Sequence, residues 1–577
     1  MDYKVEISAL LSKLTGIESA EIHRLMEIPP QPEMGDYAFP CFTLSKQLRK
    51  SPVAIAVELA SDPTLNVDYV DSVRAQGPYV NFFIDKGHLS KAVISEIILK
   101  GEQYAASDIG QGKTVIVEFS SPNIAKPFHV GHAFTTVLGH SLSRIYEKLG
   151  YNVVRVNHLG DYGTQFGKLI TAYRLWGEES ALEASPIDEL LRIYVLFHEN
   201  EKDDPELTQT ARDNFRRLEA GNPEEKALWQ RFRDLSLKAF AQVYNRMGVA
   251  FDSYKGESDY SDHIPSVISF LEEKDLLVDS EGARVVMLDE YKLPPCLVVK
   301  SDGTTIYASR DLAAAMYRHE HYNFHKNIYV VGLPQSLHFQ QVFAVLDKAG
   351  LDYAKDCEHV GFGLVKFKNM KFSTREGNIV VLEDLLNESI AKTLEIIKTN
   401  AALRQSDMTE EEILEIANKV GIGSVIYTYL KSGRERDIVF SWEEMLDFDG
   451  DSAPYLIYTY ARTRSILRKA IEQGIRSADA FDDSLSLLTT EEEFALVKLL
   501  SDLPEAIEKA ASSNEPFMLS RQVSRIARAF NRFYNNSSIL GGADDHLRSA
   551  RLALCEAVCT AIKTGTYLLG IDVVERM

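Results

Sequence analysis

Cysteine, long apolar runs and positive charge are all scarce in this 577-residue chain. Its five cysteines, at positions 41, 296, 357, 555 and 559, form no Cys-x-x-Cys, which excludes a disulfide framework and fits reduced thiols. Cys555 and Cys559 stand one helical turn apart, a spacing that reads as helix packing before it reads as the edge of a metal site. No run of about 18 apolar residues occurs, so a membrane-spanning helix is not expected. The N-terminal stretch scatters Asp2, Lys4, Glu6 and Lys13 among apolar residues and lacks the basic start and apolar centre of a secretory leader. A cytoplasmic protein with no membrane partner is the expectation. Lys and Arg number 63 against 84 Asp and Glu, a net charge of −21 that repels nucleic acid and anionic membranes at long range. Any phosphate-bearing partner must therefore be captured locally. Neither an internal repeat nor a low-complexity tract is present, which removes solenoid and disordered-array readings.

What is present is ordinary for a globular protein, with 45% hydrophobic and 25% charged residues. At roughly 150 residues per domain the length predicts three or four domains. Residues 1–108 read as amphipathic helix, Pro-rich loop, helix and the strand-like Tyr79–Ile84, a separate α/β module. The polar stretch Asp108–Gly112 then hands over to a β-branched run, Thr114–Phe119. After a loop, Phe134, Leu138, Leu142, Ile145 and Leu149 recur at helical spacing and stop at Gly150, and Asn152–Val156 reads as a second buried strand. Strand, helix and strand at this spacing make a βαβ unit of a parallel sheet, whose ligand edge is the loop after the first strand. Residues 177–234 are helical in pattern and acidic, with fifteen Asp and Glu against eight Lys and Arg, and form an insertion extending to about 250. The alternation resumes at Asn327–Gly332, followed by a helix with Phe339, Val342, Phe343 and Leu346 inward. The fold class expected is α/β: a Rossmann-type parallel-sheet domain over 109–390 follows the N-terminal module. A helical connection over 391–450 then leads to an all-α bundle over 451–577.

The loop Ser121-Pro122-Asn123-Ile124-Ala125-Lys126-Pro127-Phe128-His129-Val130-Gly131-His132 joins the first strand of that unit to its helix. Two imidazoles, an ammonium and several amides meet at a helix N-terminus, where the dipole and unpaired N–H groups favour an anion. Gly131 lets a flat nucleotide approach the backbone. His129 and His132 can donate to phosphate oxygens as charge shifts during reaction at an α-phosphorus. The rival zinc reading of His-x-x-His fails on its neighbours, since no Cys lies nearby and no Glu follows the first His. A nucleotide site without protein-bound zinc is the expectation.

With its flanks, Ser-Pro-Asn-x-x-Lys-x-x-His-Val-Gly-His resembles the HIGH signature of class I aminoacyl-tRNA synthetases in the form used by arginyl-tRNA synthetases. Met370-Lys371-Phe372-Ser373-Thr374-Arg375-Glu376-Gly377-Asn378 resembles that family's version of the KMSKS loop, with Phe372 replacing Met and Thr374 standing where most class I enzymes carry a second Lys. In arginyl-tRNA synthetases lacking that Lys, the lysine just upstream of the first signature is thought to take over, and that position is Lys126. A further departure is Ala133-Phe134-Thr135, where relatives often have Leu-Arg-Ser. The resemblance implies catalysis by His129, His132, Lys126 and Lys371, and ATP binding by His129, Gly131, His132, Lys371, Ser373 and Arg375.

An arginine substrate presents a planar cation with five donors, so its site needs a carboxylate and neutral acceptors. Ile306-Tyr307-Ala308-Ser309-Arg310-Asp311-Leu312-Ala313 resembles the family segment in which Tyr and Asp hold the guanidinium, so Tyr307 and Asp311 inherit those roles. The resemblance makes Gln335, in Gly332–Phe339, a substrate contact. It also brings Ser121 and Asn123 to the substrate's main-chain end and His132 between amino acid and ATP. Tyr458–Leu467 and Phe530–Asn535 resemble the family's anticodon-binding domain, in which Arg525, Arg528 and Arg532 share one helical stripe and Ile526, Phe530 and Phe533 another. Arg462, Arg525, Arg528, Arg532 and Tyr534 are the candidate tRNA contacts. Gly35-Asp36-Tyr37-Ala38 and Tyr79–Phe83 resemble the module that contacts the tRNA elbow in relatives.

The implied activity is ATP-dependent ligation of L-arginine to tRNA(Arg), with ATP entering as its Mg²⁺ complex, the chain acting as a monomer, and tRNA usually needed for the first step. Three alternatives stay open on sequence alone. A cysteine-specific synthetase would need zinc thiolates, and the catalytic region offers only the scattered Cys296 and Cys357. A nucleotidyltransferase with a similar His-x-Gly-His would not need the second signature or two tRNA-sized appendages. A non-enzymatic tRNA-binding paralogue would have no need of His129, His132, Lys126 and Asp311 together.

Overall fold

A computed structural model describes residues 3–29, 31–301, 303–368, 380–404, 407–542 and 544–577. The N-terminal module is an antiparallel sheet in the order β1 (Tyr37–Pro40), β3 (Tyr79–Ile84), β2 (Val70–Gln76), packed under helices and followed by α1 (Lys86–Lys100), whose first turn is capped by Asp85. Only β3 is legible as a strand in the sequence. The edge strand β2 reads Val-Asp-Ser-Val-Arg-Ala-Gln, polar because much of it faces water.

The central sheet begins with β4 (Thr114–Glu118), α2 (Val130–Lys148) and β5 (Asn152–Val156), the predicted βαβ unit. The acidic stretch that follows is helical throughout and includes α3 (Pro186–Asn200) and α4 (Pro223–Arg246). A small antiparallel meander of β6 (Leu277–Ser280), β7 (Ala283–Val286) and β8 (Cys296–Val299), absent from the sequence reading, leads into α5 (Tyr307–Tyr322). Then β9 (Lys326–Gly332), α6 (Ser336–Lys348) and β10 (Cys357–Phe362) complete a parallel sheet in the order β10-β9-β4-β5. Both faces of this sheet are buried, as parallel strands require. Val115, Val117, Ile328 and Val330 enter the core shared with α2 and the C-terminal helices, while Ile116, Val156 and Tyr329 enter a second core with α5 and α6. Chain order reverses between β4 and β9, so the crevice at their carboxyl ends is the topological switch point where open α/β sheets bind ligands.

A two-stranded parallel pair, β11 (Val365–Phe367) and β12 (Ile438–Phe440), flanks α7 (Glu410–Leu430), and the remainder is helical, including α8 (Ala453–Glu472), α9 (Glu491–Ser501), α10 (Phe517–Asn536) and α11 (Asp545–Leu568). This bundle is sewn to both preceding units. From α1 and the turn after it, Ser90 and Tyr104 donate to the carbonyls of Leu488 and Leu500 at 2.8 and 2.7 Å, and Lys498 pairs with Asp36 at 2.6 Å. From α2, Ser141 and Arg144 donate to the carbonyls of Leu568 and Tyr567 at 2.9 and 2.6 Å, satisfying groups that the end of α11 would leave orphaned. All five cysteines are buried and unbonded to one another, Cys555 and Cys559 within the packing of α11.

Candidate active site

The loop after β4 is held in an unusual backbone path. Ser120, Ser121 and Ala125 all adopt positive φ, at 69, 45 and 61°, a conformation that costs non-glycine residues energy and that marks functional loops. Buried bonds fix it: Ser120 N–H donates to Thr135 Oγ1 at 3.0 Å, Thr135 donates to the Val330 carbonyl at 2.6 Å, and Ala125 N–H donates to Ser236 Oγ on α4 at 2.9 Å. The third residue of the Ala133-Phe134-Thr135 departure thus ties the loop to β9, and Phe134 is buried against Phe362 and Tyr429.

The start of α2 corrects one expectation. The amides that would have offered an anion unpaired N–H groups already have partners: His129 N–H donates to His132 Nδ1 at 3.3 Å, Gly131 N–H to His129 Nδ1 at 3.0 Å, and the amides of Val130 and His132 to carbonyls. No hydrogen bond to the other nitrogen of either ring is seen among the described residues. An imidazole that accepts at Nδ1 is neutral with its proton on Nε2, so His129 and His132 are preset as two neutral N–H donors. The rings stack with centroids 3.8 Å apart. Burial, with the neighbouring Lys126 ammonium, pushes the His129 imidazolium below its ordinary range. Burial, then His129, then Lys126 push His132 down to about 3. Both rings therefore stay neutral at physiological pH. Gly131 is needed for the fold-back of His129, because a Cβ there would lie 2.9 Å from the ring. Lys126 itself points toward the ring of Tyr194 on α3, 5.8 Å away.

The first signature is also tied to the chain that follows the second. Val130 N–H donates to the Val380 carbonyl at 3.1 Å and Leu382 N–H to the Phe128 carbonyl at 2.9 Å, and the Tyr429 hydroxyl on α7 donates to the Val130 carbonyl at 2.9 Å. Met370–Asn378 lies outside the described residues, so the expectations for Lys371, Ser373 and Arg375 are not placed.

Opposite this loop, α5 and α6 present the proposed amino-acid pocket. Asp311 does not cap its helix; Ser309 takes that role by bonding Ile306 N–H at 3.3 Å. The Asp311 carboxylate is 20% exposed, with Oδ2 at 2.5 Å from His338 Nε2 and Oδ1 at 3.9 Å from His158 Nε2. Tyr307, one turn earlier, is 66% exposed, and the Arg310 guanidinium lies 5.7 Å from its ring. Gln335 is exposed in the short turn between β9 and α6. The two halves meet at the loop after β5: Ile124 N–H donates to the Gly160 carbonyl at 3.3 Å beside Asn123, Glu257 N–H donates to the Leu159 carbonyl at 3.0 Å, and His158 faces Asp311.

Three residues here were not singled out from sequence: His158, His338 and Glu257. Glu257 is a second carboxylate, 14% exposed and 3.4 Å from Arg310. Its carboxyl is pushed up to about 8 by burial, opposed by Arg310 and reinforced by the charges of Asp311 and Asp161. With Glu257 protonated and Arg310 beside it, Asp311 is the carboxylate free to meet a guanidinium, and an added cation favours ionisation of Glu257 as well. The signal that could have found Glu257 is its Gly256-Glu257-Ser258 turn, in which Asp161 accepts from Ser258 N–H at 2.9 Å.

In the helical bundle, Arg525, Arg528 and Arg532 line an exposed stripe while Ile526, Phe530 and Phe533 are buried, as the periodicity predicts. Arg462 lies 4.8 Å from the centroids of both Tyr458 and Tyr534 and donates to Asn531, so cation and aromatics form one stacked platform. Arg528 faces Asp451 at 3.6 Å.

Comparison with known proteins agrees with this layout. Residues 93–442 match the family model for the catalytic domain of tRNA synthetases class I (R), residues 456–577 the DALR anticodon binding domain, and residues 1–84 the arginyl tRNA synthetase N terminal domain. Proteins named arginine–tRNA ligase from Clostridium perfringens and Clostridium beijerinckii are 53% and 54% identical over 577 residues, covering all of both chains. The arginyl-tRNA synthetase of Thermus thermophilus superposes with a TM-score of 0.79 over 96% of each chain at 25% identity. That of Plasmodium falciparum shares the fold, with a TM-score of 0.80 over 100% of this chain and 98% of its own at 24% identity. The chain belongs to the arginine–tRNA ligase family of class I aminoacyl-tRNA synthetases.

Proposed function

We propose that this chain ligates L-arginine to tRNA(Arg) using ATP, in two steps at the β4/β9 crevice. In the first, an oxygen of the arginine carboxylate attacks the α-phosphorus of ATP, the bond to the β-phosphate oxygen breaks, and arginyl-adenylate and diphosphate result. In the second, a terminal ribose hydroxyl of the tRNA attacks the arginyl carbonyl and AMP leaves. No side-chain nucleophile is needed; catalysis is positioning plus stabilisation of developing phosphate charge. The observation that supports this reading is that the signature loop and the Asp311 side meet at the loop after β5, where Ile124 bonds Gly160 and His158 faces Asp311, while His129 and His132 are preset as neutral donors.

His129 and His132 donate Nε2–H to the phosphates, Gly131 keeps His129 folded back, and Lys126 supplies the cation that Thr374 does not. Lys371, Ser373 and Arg375 complete the ATP site by family resemblance. Asp311, Tyr307 and Gln335 engage the arginine side chain with Glu257 as a second carboxylate, and Ser121 and Asn123 approach its main-chain end. ATP enters as its Mg²⁺ complex, and the reading has no place for protein-bound zinc. The N-terminal module grips the tRNA elbow and the bundle reads the anticodon with Arg462, Arg525, Arg528, Arg532 and Tyr534. The enzyme works as a monomer in the cytoplasm. ATP–pyrophosphate exchange with each amino acid, with and without tRNA, tests the assignment: exchange is expected with arginine and greatest with tRNA present, and exchange supported by cysteine or glutamine instead would sink it.

A further inference from the structure

The pocket carboxylate does not stand alone. Asp311 sits in the second turn of α5, and its Oδ2 lies 2.5 Å from Nε2 of His338, in the first turn of α6. The imidazole of His158 stands 3.9 Å from Oδ1, too far to bond. No other hydrogen bond to the Asp311 side chain is seen among the described residues, and it caps no helix. Packing at this end of α6 is supplied by the next residue, Phe339, which is buried against Tyr329, Phe343 and His359. His338 itself is 24% exposed, touches Phe339 edge-on at 5.3 Å, and makes its side-chain hydrogen bond to Asp311.

We propose that His338 is a positioning residue for substrate specificity: it holds the Asp311 carboxylate in the orientation that receives the guanidinium. To donate to a carboxylate the ring must carry its proton on Nε2. That bond uses one lone pair of Oδ2 and leaves one there and two on Oδ1, enough for two parallel guanidinium N–H donors. Without it, Asp311 rotates freely in the empty enzyme and must be ordered at each binding event, which weakens capture of arginine and leaves the chemistry at the α-phosphorus alone. The inference rests on the reading of Asp311 as the arginine carboxylate.

The test is steady-state ATP–pyrophosphate exchange with tRNA, reading the KM for arginine, the KM for ATP and kcat in His338→Leu, His338→Gln, His338→Asn, Asp311→Asn and the Asp311→Asn/His338→Leu double variant. His338→Leu is expected to raise the arginine KM about tenfold, with the ATP KM and kcat within about twofold of wild type. His338→Gln, whose amide nitrogen reaches the place of Nε2, is expected to restore it, whereas the shorter Asn does not. The double variant is expected to lose no more than Asp311→Asn alone, because His338 acts only through Asp311. An unchanged or lowered arginine KM in His338→Leu overturns the proposal, the lowered value meaning that His338 merely occupies the substrate's place. Should the Leu variant not fold, Gln and Asn decide, and equal behaviour of the two overturns it as well. An Asp311→Asn variant with a wild-type arginine KM would instead remove the pocket reading itself.

Discussion

In the proposed function Lys126 departs most from the general class I pattern, because Thr374 stands in the sequence where most class I enzymes carry a second Lys. The Lys126 ammonium, which lies 5.8 Å from the Tyr194 ring, adds to the burial that disfavours protonation of both signature histidines. Lys126→Ala is expected to lower the rate of arginine activation by about 10²-fold or more while leaving tRNA affinity within twofold; a wild-type activation rate in rapid-quench measurements would remove the compensation argument. Glu257 yields a pH prediction. Its carboxyl, raised to about 8 chiefly by burial, is protonated in the empty pocket below that pH, and an incoming guanidinium favours the ionised form. Arginine binding should therefore expel a proton and tighten as pH rises from about 6 toward 8, a dependence that calorimetry in buffers of different ionisation heat would read and that Glu257→Gln should flatten. The same burial favours the fold below the ordinary value of 4.5, and that advantage is lost as pH rises toward 8. Such single carboxylates and imidazoles were the least legible part of the site. Lys126, His129 and His132 share one short loop and could be read together, whereas His158, Glu257 and His338 come from three distant segments and meet only once the sheet is formed.

At the scale of elements, three strands of the central sheet were legible because burial forces continuous apolar runs such as Thr114–Glu118 and Asn327–Gly332, whereas β10, Cys-Glu-His-Val-Gly-Phe, is too mixed to show. Most other missed strands are polar or short: β2 is a polar edge, β1 and β6 to β8 are four residues each, and β11 and β12 three, too short for a period to show. The signature helix was legible in register but not in its hydrogen bonding, since a histidine as N-cap is not a signal the sequence announces. Its start depends on Gly131, and Gly131→Ala should push the His129 ring aside and break the Nδ1 acceptance that presets its tautomer. A fall in kcat of about tenfold or more with little change in thermal midpoint is expected; a large loss of midpoint with unchanged kcat per folded molecule would make the glycine structural only.

For the molecule as a whole, a net charge of −21 and an anionic partner are reconciled by where the cations stand. The stripe Arg525, Arg528 and Arg532 is exposed on one side of α10, whose opposite side is buried. Replacing any one of the three by Ala should weaken tRNA binding and reduce the slope of log K against log salt by about one, and filter binding across a salt series would show whether the slope instead stays fixed. Arg462, held between two tyrosines, should behave differently, losing affinity with the stacking it organises and with less change in slope. The parallel-sheet α/β fold class was legible from pattern alone; the contacts between the N-terminal unit and the bundle were not, because nothing local to Ser90 or Tyr104 says that its acceptor lies some 400 residues away.

That separation has a kinetic side. Ser141 on the signature helix bonds the carbonyl of Leu568, 427 positions later, and Tyr146 bonds Asn514. A helix belonging to the nucleotide crevice is thus finished by residues synthesised 368 to 427 positions later, so the crevice acquires its final rigidity after synthesis of the helical bundle rather than before it. Ribosome-stalled chains ending before residue 545 should carry a folded sheet whose signature helix still exchanges its amides quickly, and release of the full chain should protect them in a single late step.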